Sequence, residues 1–399
     1  MWGQTAAPAT RRTSLLRAAA VGWMGGCLVT GLLREGARSL GGGALLLALV
    51  AFALAVTPAL GAAPVAQVSP CPPPGSATTL TGAGSTFIAP LFTRWFDEYA
   101  NRCGVRVNYQ AIGSGGGIRQ HIERTVDFGA SDGLLTAEQD QAAPGTLMIP
   151  MTAGAIAVVY NLPGFNTGDI NMSGDTVAKI YLGEITRWND GRLQVENPGV
   201  NLPDLAITPV RRSDGSGTTY TFTAYLAKIS PDWQRRVGVG TSVQWSAQSV
   251  GGDGNAGVAG QVRQIPGAVG YVELAYALQN NMTYAGIRNS ASNQYVLPSI
   301  ATTTAAMQGV PLPDDMRVML VDSQNPEAYP IAGFSWALVY ENQTDRPKAQ
   351  TLAHLLWWAV TDAQQLAPAL EYAPLSPDAV DKAQALIRRI KVDGQPVIQ

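Results

Sequence analysis

Three turns in this chain bring glycine and hydroxyl side chains together just before a helical pattern: Gly82 to Thr86, Gly113 to Gly117 and Ser213 to Thr218. A helix N-terminus presents unpaired backbone N–H groups and a partial positive charge, which together attract an anion. Glycine lets the main chain approach a ligand closely, and Ser or Thr adds short neutral donors. The third turn also carries Arg212. Any one of these turns reads more simply as an ordinary capped helix start, but three of a kind, one carrying Arg212, point to an oxyanion cage. A competing chemistry comes from Gly129-Ala130-Ser131-Asp132-Gly133, which fits the G-x-S-x-G pattern of a secreted serine hydrolase acting through Ser131. That reading needs a histidine, and the chain has only His121 and His354. The second of these sits in the apolar helical run Leu352 to Trp357, an unpromising place for a base. There is no Gly-Lys-Ser/Thr for a P-loop, and Gly82-x-Gly84 lacks the third glycine of a dinucleotide fingerprint. With so few histidines and no cysteine pair at metal spacing, neither a metal site nor a cofactor is expected.

The elements that must carry these turns follow from periodicity. Thr78 to Thr81 is a short β-prone run. Phe87, Leu91, Trp95 and Tyr99 then recur every four residues, beside Ile88, Phe92 and Phe96, which predicts a helix with one wide buried face. Val105, Val107, Tyr109 and Ala111 alternate with polar residues as a strand does, and a helix is expected from about Ile118. Further strands are expected at Val126 to Ser131, Thr146 to Val159, Ile207 to Val210, Val269 to Val272, Val318 to Val321 and Phe334 to Tyr340. Helices are expected at Tyr220 to Leu226, Arg346 to Val360 and Asp378 to Ile390. Alternating strands and helices give an α/β class with helices covering sheets.

Of 399 residues, only 14% are charged, and the charge is unevenly placed. Five arginines and one glutamate give residues 1–63 a net +4, leaving −6 for the remainder. A mildly acidic body with no basic stripe argues against nucleic acid as a partner. Ala44 to Val56 is an uninterrupted apolar run after Arg34 and Arg38, followed by Pro58 and the small residues Gly61, Ala62 and Ala63. That is the layout of an export signal. The alternative is a membrane anchor, since Ser39 to Ala63 carries no charge. The start could be Met1 or Met24, and Arg11-Arg12 partly resembles a twin-arginine signal. Localisation is therefore expected to be exported, periplasmic or at the cell surface, with a membrane tether as the variant. Cys71 and Cys103 remain in the body, and the sequence leaves their pairing open.

Taken together, the segments Thr81 to Phe87, Asn108 to Gly117, Val126 to Asp132, Arg211 to Thr218 and Pro266 to Glu273 resemble the phosphate-binding subunit of bacterial phosphate ABC transporters. The resemblance runs from about Thr78 to the C-terminus, in the family's order. It departs from the family's habit at Gly115, where a second serine is common, and at Leu134, where a proline is common.

The resemblance implies a two-lobed periplasmic-binding-protein fold, with two sheets flanked by helices and joined by a two-crossing hinge. The crossings would fall at Met151 to Leu162 and Ala328 to Leu338. The expected layout is an export region over 1–63, a Pro-rich leader over 64–75, lobe one over 76–156 and 331–399, and lobe two over 157–330. Inorganic phosphate would lie in the interlobe cleft. Thr86, Phe87 and Ser114 would bind it from lobe one, and Arg212, Ser216, Gly217 and Thr218 from lobe two, with Asp214 orienting Arg212. Asp132 would select the ligand, because a carboxylate tolerates an anion only if that anion brings a proton to donate. Phosphate near neutral pH does so and sulfate does not. The implied partners are the membrane permease and ATPase subunits of an ABC transporter, and the implied state is a monomer that is not an enzyme. A receptor for another tetrahedral oxyanion, sulfate or molybdate, is the alternative within the same fold.

Overall fold

The structure, a computed structural model, describes residues 68–246 and 248–398. The export region expected over 1–63 lies outside the described residues. Strands and helices alternate along the chain, and helices flank a mixed sheet. In spatial order its strands are Arg106–Gln110, Thr79–Gly84, Phe128–Ser131, Ala332–Tyr340, Thr146–Tyr160, Ala268–Glu273, Thr208–Arg212 and Val250–Gly252, with Thr283–Tyr284 also paired to the long strand.

The long strand Thr146–Tyr160 is buried throughout, as its near-continuous apolar sequence requires. From Thr146 to Ala155 it pairs antiparallel with Ala332–Tyr340; from Ile156 to Tyr160 it pairs antiparallel with Ala268–Glu273. One strand thus joins two groups of parallel strands. Thr79–Gly84 runs parallel to Arg106–Gln110 and to Phe128–Ser131 in the first group. Thr208–Arg212 runs parallel to Val250–Gly252 and to Ala268–Glu273 in the second. The pairing of the long strand with Ala332–Tyr340 slips by one residue between Ser335 and Trp336, a β-bulge opposite Pro150 and Thr152.

Each group has its own aromatic packing. Phe92, Phe96, Tyr109 and Phe128 pack together in the first, with Phe92 edge-on to Tyr109 and Phe128, and Phe92 and Phe96 centroids 4.8 Å apart. Phe222 lies flat on Tyr271 at 4.2 Å in the second, with Tyr181 edge-on to both. The helix predicted from the four-residue spacing runs Ala89–Cys103 and buries Leu91, Phe92, Trp95, Phe96 and Tyr99. Its last residue forms a disulfide with Cys71, at a Cα–Cα distance of 5.3 Å, tying the Pro-rich leader to the helix end.

Two local expectations differ. The helix expected from Ile118 starts at Ser114, because its glycines serve contact rather than turning. A Cβ on Gly117 would lie 2.4 Å from Gly84 Cα, so only glycine lets this helix sit on the strand below. Val318 to Val321 is not a strand. Among the described residues no strand pairs with it; instead the Lys228 ammonium donates to the Val321 carbonyl. Among the described residues no helix is long and apolar enough to cross a membrane.

Candidate functional site

Both parallel groups turn from strand to helix at their C-terminal ends, where α/β folds place ligands. Thr79–Gly84 leads through Ser85 to Ile88 into the helix Ala89–Cys103, and Thr208–Arg212 leads through Ser213 to Ser216 into the helix Gly217–Ile229. Asp132 directly follows the strand Phe128–Ser131.

Asp132 is 2% exposed, and its two carboxylate oxygens have different surroundings. Oδ1 accepts from Ser85 Oγ at 2.5 Å and from Ser335 Oγ at 2.6 Å. Oδ2 has one long contact, Ser114 Oγ at 3.4 Å, and faces the first turn of the helix Gly217–Ile229. A Cβ on Gly217 would lie 2.6 Å from Oδ2 and 2.4 Å from Ser114 Oγ, so glycine is required where the two meet. Burial pushes the Asp132 carboxyl up to about 6; the hydrogen bonds from Ser335 and Ser85, the nearby Arg212 charge and the Ser114 bond pull the other way. In its ionised form the group keeps Oδ2 as its spare acceptor.

Arg212 is the cation of the site, with a side chain only 1% exposed. Its Nε donates to Asp214 Oδ1 at 2.7 Å, and Nη2 bonds the other Asp214 oxygen in a forked pair. Nη1 donates to Thr218 Oγ1 at 3.3 Å. Burial raises the Asp214 carboxyl, yet the bond and charge of Arg212 and the Gly254 N–H outweigh it and hold Asp214 below its ordinary range. Ser216 caps the helix by accepting from Thr219 N–H at 3.0 Å, which leaves its own proton to give. The turns Gly113 to Gly117 and Ser213 to Thr218 touch directly, with Gly115 N–H donating to the Gly215 carbonyl at 2.8 Å.

The third side is built on Thr86. Its Oγ1 meets the Asn255 side-chain amide at 2.9 Å, and the same amide nitrogen reaches Thr218 Oγ1 at 3.2 Å. The Phe87 N–H donates to Ser85 Oγ, and its carbonyl accepts from Tyr372 OH at 2.5 Å. Tyr372 OH also contacts Glu273 Oε2 at 3.1 Å, while Glu273 Oε1 is buried without a hydrogen-bond partner. Burial pushes the Glu273 carboxyl well above its ordinary value, helped by the nearby charge of Asp132.

Contacts therefore link Thr86, Phe87, Ser114, Asp132, Arg212, Asp214, Gly217 and Thr218 in one largely buried cluster, and Ser216 adjoins it as the cap residue directly before Gly217. Sequence reasoning missed Ser85, Asn255, Glu273 and Ser335. Ser85 stood inside a turn already singled out, and Gly251-Gly252-Asp253-Gly254-Asn255 is a fourth glycine-rich turn before a helix. Ser335 carries no local signal, being one serine within a buried strand. Ser131 is spent in a turn: its Oγ donates to the Gly133 carbonyl at 2.7 Å and accepts from Gly133 N–H. His121 Nε2 meets Thr146 Oγ1 and His354 Nδ1 meets the Ser69 carbonyl, so neither imidazole is set against Ser131. Among the described residues no group of His, Cys, Asp and Glu could hold a metal ion.

Comparison with known proteins agrees with this architecture. The family model of the PBP superfamily domain matches residues 71–362. "Phosphate-binding protein PstS" of Xylella fastidiosa (strain 9a5c) is 41% identical over 309 residues, covering 77% of this chain and 84% of the relative. A protein of the same name from Methanocaldococcus jannaschii is 33% identical over 306 residues, covering 71% of this chain and 78% of the relative. Among solved structures, a high affinity periplasmic phosphate-binding protein (PfluDING) bound with phosphate superposes with a TM-score of 0.63 at 20% identity, covering 77% of this chain and 93% of that one. The fold is that of the periplasmic binding proteins, and by sequence the chain belongs to the PstS family of phosphate-binding proteins within the PBP superfamily.

Proposed function

We propose that this chain is an extracytoplasmic receptor that binds inorganic phosphate and delivers it to a membrane ABC permease driven by its ATPase. The observation that carries the proposal is the asymmetry of Asp132: Oδ1 is filled by Ser85 and Ser335, and Oδ2 faces the start of the helix Gly217–Ile229. Phosphate between Arg212 and that helix would give its remaining proton to Oδ2. Its other oxygens would accept from Arg212, from the hydroxyls of Thr86, Ser114, Ser216 and Thr218, and from the backbone N–H of Gly217, with the Phe87 N–H shared between the anion and Ser85 Oγ. Asp214 would hold the guanidinium in plane. Sulfate, bringing no proton, would face an unpaired buried carboxylate.

Lobe one would comprise 76–156 with 331–399, and lobe two 157–330. The change of pairing partner at Ala155 and Ile156 supports a crossing there, and the return through Ile331 to Ala332 supports the second. Closure about two crossings would present one shape to the permease when loaded. Residues 1–63 would direct export of a monomer. The experiment is calorimetric titration of the body, residues 64–399, with phosphate and sulfate in parallel at fixed pH and ionic strength. Saturable phosphate binding with sulfate weaker by orders of magnitude is the expected result. Equal affinities would favour a general oxyanion receptor, and no heat with either anion would overturn the receptor reading.

A further inference from the structure

Asn255 lies in the first turn of the helix Gly254–Gln264 and is wholly buried. Its amide orientation is fixed by a partner that can only donate: Glu273 N–H gives a hydrogen bond to Asn255 Oδ1 at 3.0 Å. The opposite end is therefore the NH₂ group, which can only donate as well. Its two protons reach Thr86 Oγ1 at 2.9 Å and Thr218 Oγ1 at 3.2 Å.

A threonine hydroxyl has one proton to give and two lone pairs to receive. At Thr86 both lone pairs are taken, by the Asn255 side-chain amide and, at 3.4 Å, by the Asn255 backbone N–H. At Thr218 both are also taken, by Asn255 Nδ2 and by Arg212 Nη1 at 3.3 Å. Each hydroxyl is left with its proton alone to offer. We infer that Asn255 is a positioning residue that fixes the polarity of the Thr86 and Thr218 hydroxyls, holding both as obligate donors toward a bound oxyanion. This inference rests on the phosphate-receptor reading and adds a device to it. The hydroxyls reach the anion already turned, so binding spends no rotor freedom on them and a ligand group that must donate at these points meets only protons.

The test is a coupling measurement. Asn255→Asp keeps the shape and the acceptor for Glu273 N–H, but its other oxygen accepts from both threonines and turns their protons away from the ligand. Phosphate affinity is measured by calorimetry for this variant in the wild-type background and in a Thr86→Val/Thr218→Val background, which has no hydroxyls to turn. The expected loss is roughly 100-fold or more in the wild-type background, and at least about tenfold smaller in the valine background. Charge repulsion from the new carboxylate contributes in both backgrounds, and the uncharged Asn255→Ala cycle controls for it. Asn255→Ala, which adds no charge, is carried through the same cycle and serves if the Asp variant does not fold. Its expected loss is about tenfold with the hydroxyls present and within about twofold without them. Equal losses in the two backgrounds overturn the inference while phosphate binding by the wild type leaves the receptor reading standing. A wild-type protein without phosphate affinity overturns both.

Discussion

Ser335 and Asp132 are 203 residues apart in sequence, yet Ser335 Oγ donates to Asp132 Oδ1 at 2.6 Å. The contact crosses between neighbouring antiparallel strands at the place where the bulge at Ser335 and Trp336 interrupts the register with the long strand. It occupies one oxygen of the carboxylate and leaves the other as the acceptor. Replacing Ser335 by Ala removes an interaction that lowers the Asp132 carboxyl, so that group should rise further above about 6. The sign follows: the protonated, non-accepting form then persists to higher pH. The pH at which preference for phosphate over sulfate is lost should move upward, as read from paired titrations between pH 5 and 8. An unmoved profile would show that Ser335 only packs.

Asp132→Asn should keep phosphate binding and admit sulfate. The amide is nearly isosteric, uncharged, and able to turn its NH₂ toward an anion oxygen. Preference for phosphate should fall at least roughly tenfold, about 1.4 kcal/mol. Unaltered selectivity in a correctly folded variant would reduce Asp132 to a turn former.

Arg212→Ala should weaken phosphate binding by about 2–5 kcal/mol, since a desolvated anion loses its charged partner and Asp214 is left without one. Arg212→Lys should recover little, because a point charge cannot bond both oxygens of Asp214 and also reach Thr218. The dissociation constants of the two variants decide this. Near-wild-type affinity in either one would remove Arg212 from the site.

Glu273 should make stability fall with pH. Its folded carboxyl is raised by burial, so the folded state holds a proton that the unfolded chain has already released. Stability from this source is complete below the ordinary carboxylate range and is lost as pH climbs toward the raised value. Glu273→Gln has no such proton. Between pH 5 and 8 the melting temperature of the wild type should drop more than that of the variant, by at least about 2 °C. Parallel curves would mean that the carboxyl stays charged.

Reduction of the Cys71–Cys103 bond, or replacement of both residues by Ser, should cost about 3–4 kcal/mol from a separation of 32 residues. Chemical unfolding with and without reductant measures it. Phosphate affinity should not change, because the bond lies at the far end of the helix that Ser85 to Ile88 introduce.

The legible part of this protein was whatever is encoded locally. Each glycine-hydroxyl turn announced a helix start, and Phe87, Leu91, Trp95 and Tyr99 announced the buried face of the first helix. Asn255 was within reach, because its turn has the same composition as the other three. Ser335 was not, because its importance depends on which strand settles beside Phe128–Ser131, a property of topology that no neighbouring residue records. The irregular path of Val318 to Val321 was hidden for a related reason. A short β-prone run becomes a strand only if another strand is there to pair with it.

The strand Ala332–Tyr340 sits between Phe128–Ser131 and Thr146–Tyr160, strands made some two hundred residues earlier. During synthesis the sheet therefore stays incomplete, with a gap between those two strands, until residue 340 has left the ribosome. Closing so long a loop is entropically slow. A nascent chain with the proposed export signal would be captured at its N-terminus well before that gap could close.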